Sequence, residues 1–473
     1  VNQISFFALL CCVFFVMNCK KNMSTDPIST QANPLVESWL TLPDHTVLFQ
    51  RQTTQLSFAE NSNDLSTIEV DTSQKFQSID GFGMALTGGS ASLINQKLNG
   101  TQRTALLTEL FKNDGTNIGV SYLRISIGAS DLSSTTFTYD DATKPDTALQ
   151  QFSLAPEKTD LIPVLKEIIQ LNPQLQIMGS PWSAPVWMKT EATFRGGKLN
   201  PIYYGAYARY LARYVQEMAK EGISIATITP QNEPENPNNT PAMVMTAAEQ
   251  KDFVKNHLGP VFQKAGIKTK IVIFDHNCDH PNYPIEILDD PKAKQYINGT
   301  AFHLYLGDIS AMAKVHEAHP DRDLYFTEQW ISSKGQFAGD LAWHTKNLII
   351  GATRNWAKTV LEWNLAADEN QNPHTDGGCT ECLGAITIKG ATVQRNTAYY
   401  IIAHAAKFVV PGSVRISSTD TKGLANVAFQ TPSGKKVLIV LNESGKDQKF
   451  NIRVGTKMAQ PSLKNGAVAT YVW

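Results

Sequence analysis

Two glutamates stand where short apolar runs give way to polar loops. Glu233 ends Thr227-Ile228-Thr229-Pro230-Gln231-Asn232-Glu233-Pro234, and Glu328 ends Leu324-Tyr325-Phe326-Thr327-Glu328 before Gln329-Trp330. Such runs read as buried strands, and a carboxylate at the mouth of a buried strand is costly to desolvate unless it does chemistry. A pair of them fits hydrolysis of a sugar bond: one carboxyl protonates the leaving oxygen while the other attacks the anomeric carbon. The neighbours suggest how the roles divide. Glu233, between an amide and a proline, is expected to stay protonated near neutral pH as the acid/base; Glu328 is expected to be the nucleophile, held ionised by Arg124. Asn232 is placed to hydrogen-bond the sugar 2-hydroxyl. This chemistry needs no metal or cofactor.

The elements that must position these groups repeat one theme. Strands are expected near 78–83, 121–128, 175–181, 225–231, 270–275, 299–305, 323–328 and 359–364. Between them run helix-period segments such as Thr101 to Phe111, Asp160 to Leu171, Tyr203 to Glu221, Ala247 to Lys264, Leu341 to Asn355 and Asn396 to Phe408, each with an apolar stripe. Alternation of this kind, with no glycine-rich dinucleotide fingerprint after the first strand, predicts an α/β fold: a closed (β/α)8 TIM barrel. Active sites of such barrels sit at the C-terminal strand ends. In order, those ends offer Arg124, Trp182, Asn232 with Glu233, Asp275 with His276, His303 with Tyr305, Glu328 with Trp330, and Glu362 with Trp363. Strands four and seven lie opposite each other, so Glu233 and Glu328 can flank one bond. Trp182, Trp187, Trp330 and Trp363 offer flat faces for a pyranose ring. His303 and Tyr305 share one face of strand six and point to the nucleophile or the sugar, whereas Glu362 reads as structural.

After residue 409 the helical period stops and short alternating strands follow around Pro432-Ser433-Gly434 and Asn465-Gly466. The β-like pieces of 45–78, among them Val47 to Phe49, Gln55 to Phe58 and Ser66 to Val70, lack a sheet of their own. They are expected to join the tail in a side β-sandwich. The domain plan is therefore a leader over 1–19, a flexible Ser/Thr/Asn/Pro-rich linker over 20–44, strands of the sandwich over 45–78, the barrel over 79–408 and the C-terminal β-sandwich over 409–473. The apolar stretch Ile4 to Met17 has signal-peptide length, and Val16-Met17-Asn18-Cys19 resembles a lipoprotein cleavage site. The expected address is thus an exported protein, anchored to an outer membrane by lipid at Cys19, or else secreted or periplasmic.

Lys plus Arg (42) nearly balances Asp plus Glu (43), which argues against a nucleic-acid partner and for a neutral sugar substrate. Oligomeric state is left open. Beyond the leader only Cys278, Cys379 and Cys382 remain, a poor disulfide framework. Cys379-Thr380-Glu381-Cys382 is either a local disulfide or a thiol pair, and a lone pair of this kind is weak evidence for zinc. Asp275-His276-Asn277-Cys278-Asp279-His280 contains metal-ligand types in no defensible metal spacing. Substrate binding or loop ordering suits it better than metal-dependent hydrolysis.

From about Gln77 to Ile416 the chain resembles glycoside hydrolase family 30, which includes lysosomal glucosylceramidase and bacterial and fungal β-1,6-glucanases. The resemblance rests on Asp80-Gly81-Phe82-Gly83, Tyr122-Leu123-Arg124-Ile125-Ser126, the Ser180 to Thr190 run, Gln231-Asn232-Glu233-Pro234, Phe302-His303-Leu304-Tyr305, Phe326-Thr327-Glu328-Gln329-Trp330 and Glu362-Trp363-Asn364-Leu365. It implies a barrel with a side sandwich from both chain ends, Glu233 as acid/base, Glu328 as nucleophile, and Arg124, Trp182, Asn232, His303, Tyr305 and Trp363 in the glycone site. One position departs: glucosylceramidases carry a sugar-binding Asp after Ala-Met-Thr, where this chain has Gly88 after Ala85-Leu86-Thr87. Losing a charge-assisted hydrogen bond is worth about 1.5–3 kcal/mol. With Asp275-His276-Asn277 and Gly377-Gly378-Cys379, the Thr87-Gly88-Gly89-Ser90 variant looks more like the bacterial β-1,6-glucanase branch. The expected function is therefore a retaining endo-β-1,6-glucanase. A glucosylceramidase or β-glucosidase is the enzymatic alternative, and a carbohydrate-binding lipoprotein the non-enzymatic one.

Overall fold

The structure, a computed structural model, describes Val1 and residues 35–473. The expected leader, Cys19 and the linker as far as residue 34 lie outside the described residues. Eight parallel strands close into a barrel: β1 (Gly81–Ala85), β2 (Tyr122–Ser126), β3 (Gln176–Ser180), β4 (Thr227–Ile228), β5 (Lys270–Cys278), β6 (Gly299–Gly307), β7 (Asp323–Glu328) and β8 (Ala357–Asn364), with β8 returning to pair β1. Both faces of such a sheet are covered, so the strands are buried along almost their whole length. Tyr122, Met178, Val272, Ala301, Tyr325 and Leu361 pack together as one cluster of buried barrel-strand residues. Gly83 is dictated by close approach: a Cβ there would collide with the Tyr122 carbonyl on β2.

The outer helices follow the expected stripes. Along Tyr204–Lys220, the residues Tyr207, Leu211, Tyr214 and Met218 recur at spacings of four, three and four and are fully buried against the sheet. Thr246 and Glu249 form a reciprocal capping box that starts Ala247–Phe253. β4 is only two residues long, shorter than the expected 225–231. Pro230 has no N–H to give a ladder, and Glu233 turns to φ 46°.

The two chain ends build the side sandwich together. Leu35–Thr41 pairs antiparallel with Val468–Val472, and Thr67–Ser78 lies between Val414–Ser418 and Asn451–Val454. The expectation of a flexible linker through residue 44 is thereby corrected. Its Ser/Thr/Asn/Pro composition hid the pattern in Leu35–Thr41 that buries Val36, Ser38, Trp39 and Thr41. Val47 to Phe49, expected to be β-like, is a bend instead, with Phe49 at φ 47° so that its ring meets Trp39 at 4.9 Å and His404 at 5.0 Å. The two layers of the sandwich pack on each other through Val36, Leu438 and Val440 from one and Ile68 and Ile452 from the other, while Trp39, Val427, Phe429 and Ile439 join the barrel's own core. Burying each such side chain contributes roughly 1.5–3 kcal/mol, so the sandwich is fused to the barrel rather than tethered to it.

Candidate active site

At the C-terminal end of β5 a bulge re-aims the strand. Phe274 and Asp275 both take positive φ (73° and 62°), and the register against β6 slips between Phe274 and His276. Left-handed non-glycine residues cost on the order of 1–3 kcal/mol each and persist where surrounding contacts enforce them. Here they turn the Asp275 carboxylate under the barrel mouth. Its Oδ2 accepts from Arg124 Nη2 (2.7 Å), Ser180 Oγ (2.6 Å) and Thr229 Oγ1 (2.9 Å), and its Oδ1 from Thr327 Oγ1 (2.7 Å) and His303 Nε2 (3.2 Å). Burial opposes the charge, but Arg124 and His303 hold this carboxyl well below the usual carboxylate range.

Arg124, fully buried, then distributes that order. Nη1 donates to Glu328 Oε2 at 2.6 Å, Nη2 also donates to Asn232 Oδ1 at 2.7 Å, and the guanidinium lies 4.9 Å from the Trp182 ring, which stacks on Trp363 at 5.3 Å. Tyr305 Oη donates to the other Glu328 oxygen at 2.9 Å. Both oxygens of Glu328 are thus fixed by donors that favour the ionised form, although burial outweighs the pull of His303 and Arg124 and leaves its carboxyl above the ordinary value.

Glu233 sits across from it, its own backbone at φ 46° and its N–H bonded to the Asp275 carbonyl at 3.0 Å. Its Oε2 accepts from Asn236 Nδ2 (2.7 Å) and Asn239 Nδ2 (3.0 Å), and its Oε1 lies 3.4 Å from His303 Nδ1. The expectation that Glu233 is kept protonated by its sequence neighbours is corrected here. Burial does push its carboxyl up, but His303 and the Asn236 amide more than reverse that and draw it down. His303 shifts the other way: although burial works against an imidazolium, Glu328, Asp275 and Glu233 raise it to about 9. One ligand atom from each of Glu233, His303 and Glu328 falls within 4.8 Å of the others. An oxygen of each carboxylate can therefore approach one glycosidic bond held between them.

The groups open onto a cavity of about 530 Å³. Glu233, Glu328, Tyr305, Trp330 and Trp363 line it, whereas Arg124, Trp182, Asn232 and His303 are packed beneath or behind its wall. Trp187 stays away, donating its indole N–H to the Asp140 carbonyl, and Glu362 pairs with His344 at 2.9 Å. The Asp275–His280 stretch does not converge on one point. Asp275 points inward, while His280 faces outward to Glu235 at 2.8 Å. Among the described residues the converging ligand-type atoms are those of Glu233, His303 and Glu328. Cys379 and Cys382 form a disulfide and also line the cavity.

Three residues escaped the sequence reading. Asn236 and Asn239, in the Asn-rich loop after Glu233, clamp its carboxylate. Asp131, seven positions after Arg124, lines the cavity, and burial followed by the fields of Glu328 and Glu233 pushes its carboxyl up to about 7. A polar residue shortly past a barrel strand was the available signal for it. Asp131 also revises the weight given to Gly88: the wall carries a carboxylate after all, so the glycine does not by itself separate the two substrate classes.

The family model for the glycosyl hydrolase family 30 TIM-barrel domain matches residues 79–409, and that for the family 30 β-sandwich domain matches 412–471. An endo-1,6-β-D-glucanase of Neurospora crassa is 35% identical over 407 residues, covering 82% of this chain and 83% of its own. The solved structure of the endo-β1,6-glucanase BT3312 superposes with a TM-score of 0.87 at 34% identity, covering 93% of this chain and 99% of its own. A putative glucosylceramidase 1 of Caenorhabditis elegans is 29% identical, covering 79% and 75%. With both of its domains matched, the chain belongs to glycosyl hydrolase family 30.

Proposed function

We propose that the protein is an endo-β-1,6-glucanase that hydrolyses β-1,6-glucan by double displacement, with Glu328 as nucleophile and Glu233 as acid/base. The observation that carries the chemistry is the Glu233–His303–Glu328 convergence within 4.8 Å; the substrate reading is supported by relatives named for 1,6-β-glucan cleavage over four-fifths of this chain. Glu328, steered by Arg124 and Tyr305, attacks the anomeric carbon. Glu233 protonates the leaving oxygen with the proton it shares with His303, the two groups titrating as a pair. The same carboxylate then takes a proton from the water that hydrolyses the ester. Asn232, beneath the wall, has its Oδ1 committed to Arg124, which leaves the amide Nδ2 as the group that can donate to the sugar 2-hydroxyl. Trp330 and Trp363 give apolar faces to the ring, and the Asp131 carboxyl receives hydroxyls.

Product analysis after parallel incubation with pustulan, laminarin, gentiobiose and glucosylceramide tests the substrate. Early gentio-oligosaccharides from pustulan are expected; ceramide release without pustulan depolymerisation would move the protein to the glucosylceramidase reading. We further infer export with a lipid on Cys19, supported by the apolar Ile4 to Met17 run before it. Among the described residues no helix is long and apolar enough to cross a membrane. Labelling of the expressed chain with a fatty-acid probe, lost in Cys19→Ser, is the expected outcome; equal labelling of that variant would rule the anchor out.

A further inference from the structure

The Cys379–Cys382 disulfide stands at a place the proposed mechanism does not use. Both half-cystines line the cavity, and Cys382, almost fully buried, packs in one cluster with Trp182, Trp363 and Leu132. Directly after it, Cys382–Leu383 pairs antiparallel with Ile331–Ser332, the short strand that begins three residues beyond Glu328, with Cys382 opposite Ser332. Directly before it, the loop is pressed onto Asp131. The Thr375 N–H donates to the Asp131 carbonyl at 2.8 Å, and a Cβ on Gly378 would collide with that same oxygen. The bridge therefore closes a loop that touches Asp131, the tryptophan stack and the strand following Glu328.

We propose that the Cys379–Cys382 disulfide is a positioning element of the sugar site, clamping the 375–382 loop so that Asp131 and the Trp182–Trp363 stack stay in register with Glu328. This rests on the reading of the cavity as the sugar site. Within it the bridge acts through Asp131: with the clasp open the 375–382 loop relaxes away from the Asp131 backbone, and the wall that receives the hydroxyls loses its shape. The bond is broken by a dithiol, which gives two electrons and two protons to yield two thiols and is itself oxidised to a cyclic disulfide. Binding of the glucan is affected more than the chemical step, because the Arg124 and Tyr305 contacts to Glu328 do not pass through this loop.

The test compares the full-length protein, oxidised, with the same protein treated with dithiothreitol and with the Cys379→Ser/Cys382→Ser variant, on β-1,6-glucan. Alkylation and peptide mass verify that the bridge is open, and circular dichroism that the fold remains. The expected result is a KM raised by about tenfold or more, the scale of a lost charged hydrogen bond, with kcat within about threefold. In an Asp131→Asn background, reduction is expected to add little further, because the two changes act on one contact. An unchanged KM with the bridge open, or losses that simply multiply in the Asp131→Asn background, would overturn the proposal. If the oxidised wild-type protein failed to cleave β-1,6-glucan at all, the functional reading would fail instead, and the two failures are told apart by that control.

Discussion

Two buried histidines mark two regions of this molecule and behave in opposite ways. His303, at the barrel mouth, touches Glu233, Asp275 and Glu328 and is raised to about 9, so it is charged at neutral pH. His404, on the helix Thr397–Ala406 at the seam between barrel and sandwich, has uncharged neighbours, the hydroxyls of Thr41 at 2.8 Å and Thr470 at 2.9 Å and the edge-on Phe49 ring, and burial lowers it to about 3. The residue type and the degree of burial are the same; the partners decide. Surrounded by carboxylates, a histidine becomes part of a proton-sharing cluster. Surrounded by hydroxyls, it becomes a neutral peg that ties strand Leu35–Thr41 and strand Val468–Val472 to the barrel.

The largest change that sharpens this contrast is at the mouth. Glu328→Ala is expected to lower kcat by about four orders of magnitude or more, and Glu233→Ala by about two to four, with unfolding midpoints near wild type; steady-state kinetics beside thermal melts check both. Activated aryl glycosides, which need little protonation, should recover much of the Glu233→Ala loss and none of the Glu328→Ala loss. Asp275→Asn breaks the pair beneath them and leaves Arg124 with one buried carboxylate instead of two. A stability loss of about 3–5 kcal/mol in chemical denaturation, together with loss of activity, is expected; a stable and active variant would show that the network under the site does not hold it.

The two histidines also part by pH. The proton on His303 stabilises the folded state below the unfolded value of about 6.5, and that contribution is lost as pH rises through about 9. His404 runs the other way: its neutral form is at no disadvantage above about 6.5, and as pH falls toward 3 the unfolded chain takes up a proton the folded one refuses. Denaturation of the His404→Phe variant should lose the acid-side slope of roughly 1 kcal/mol per pH unit while kcat stays put. In His303→Gln the alkaline limb of kcat/KM should move to lower pH, since a lone Glu233 gives up its proton sooner than the shared pair. Swapped outcomes, with His404 moving the rate profile, would break the comparison.

Much of this was legible in the chain. The barrel strands and the tail strands fall within a few residues of their hydrophobic periods, because a strand that is buried on both faces, or on one, must show it in sequence. Leu35–Thr41 was obscured because a seven-residue strand sits at the edge of a polar, proline-containing stretch that dominates any average over it. Glu233 and Glu328 stood out as charges at strand ends. The ionisation of Glu233 did not, since His303, Asn236 and Asn239 approach it through loop geometry and a β-bulge that no local pattern encodes. Asp131 was missed for a related reason: it gains meaning only once the loop closed by Cys379 and Cys382 is laid against it.

The central claim is that Glu328 forms a covalent bond with the sugar. It is tested most directly by incubating the protein with an activated 2-deoxy-2-fluoro-β-glucoside and mapping the added mass by peptide mass spectrometry. A single glycosyl adduct on the peptide carrying Glu328, with activity lost in proportion, is the expected result. An adduct on another carboxylate, or steady hydrolysis with inverted product and no adduct, would contradict it.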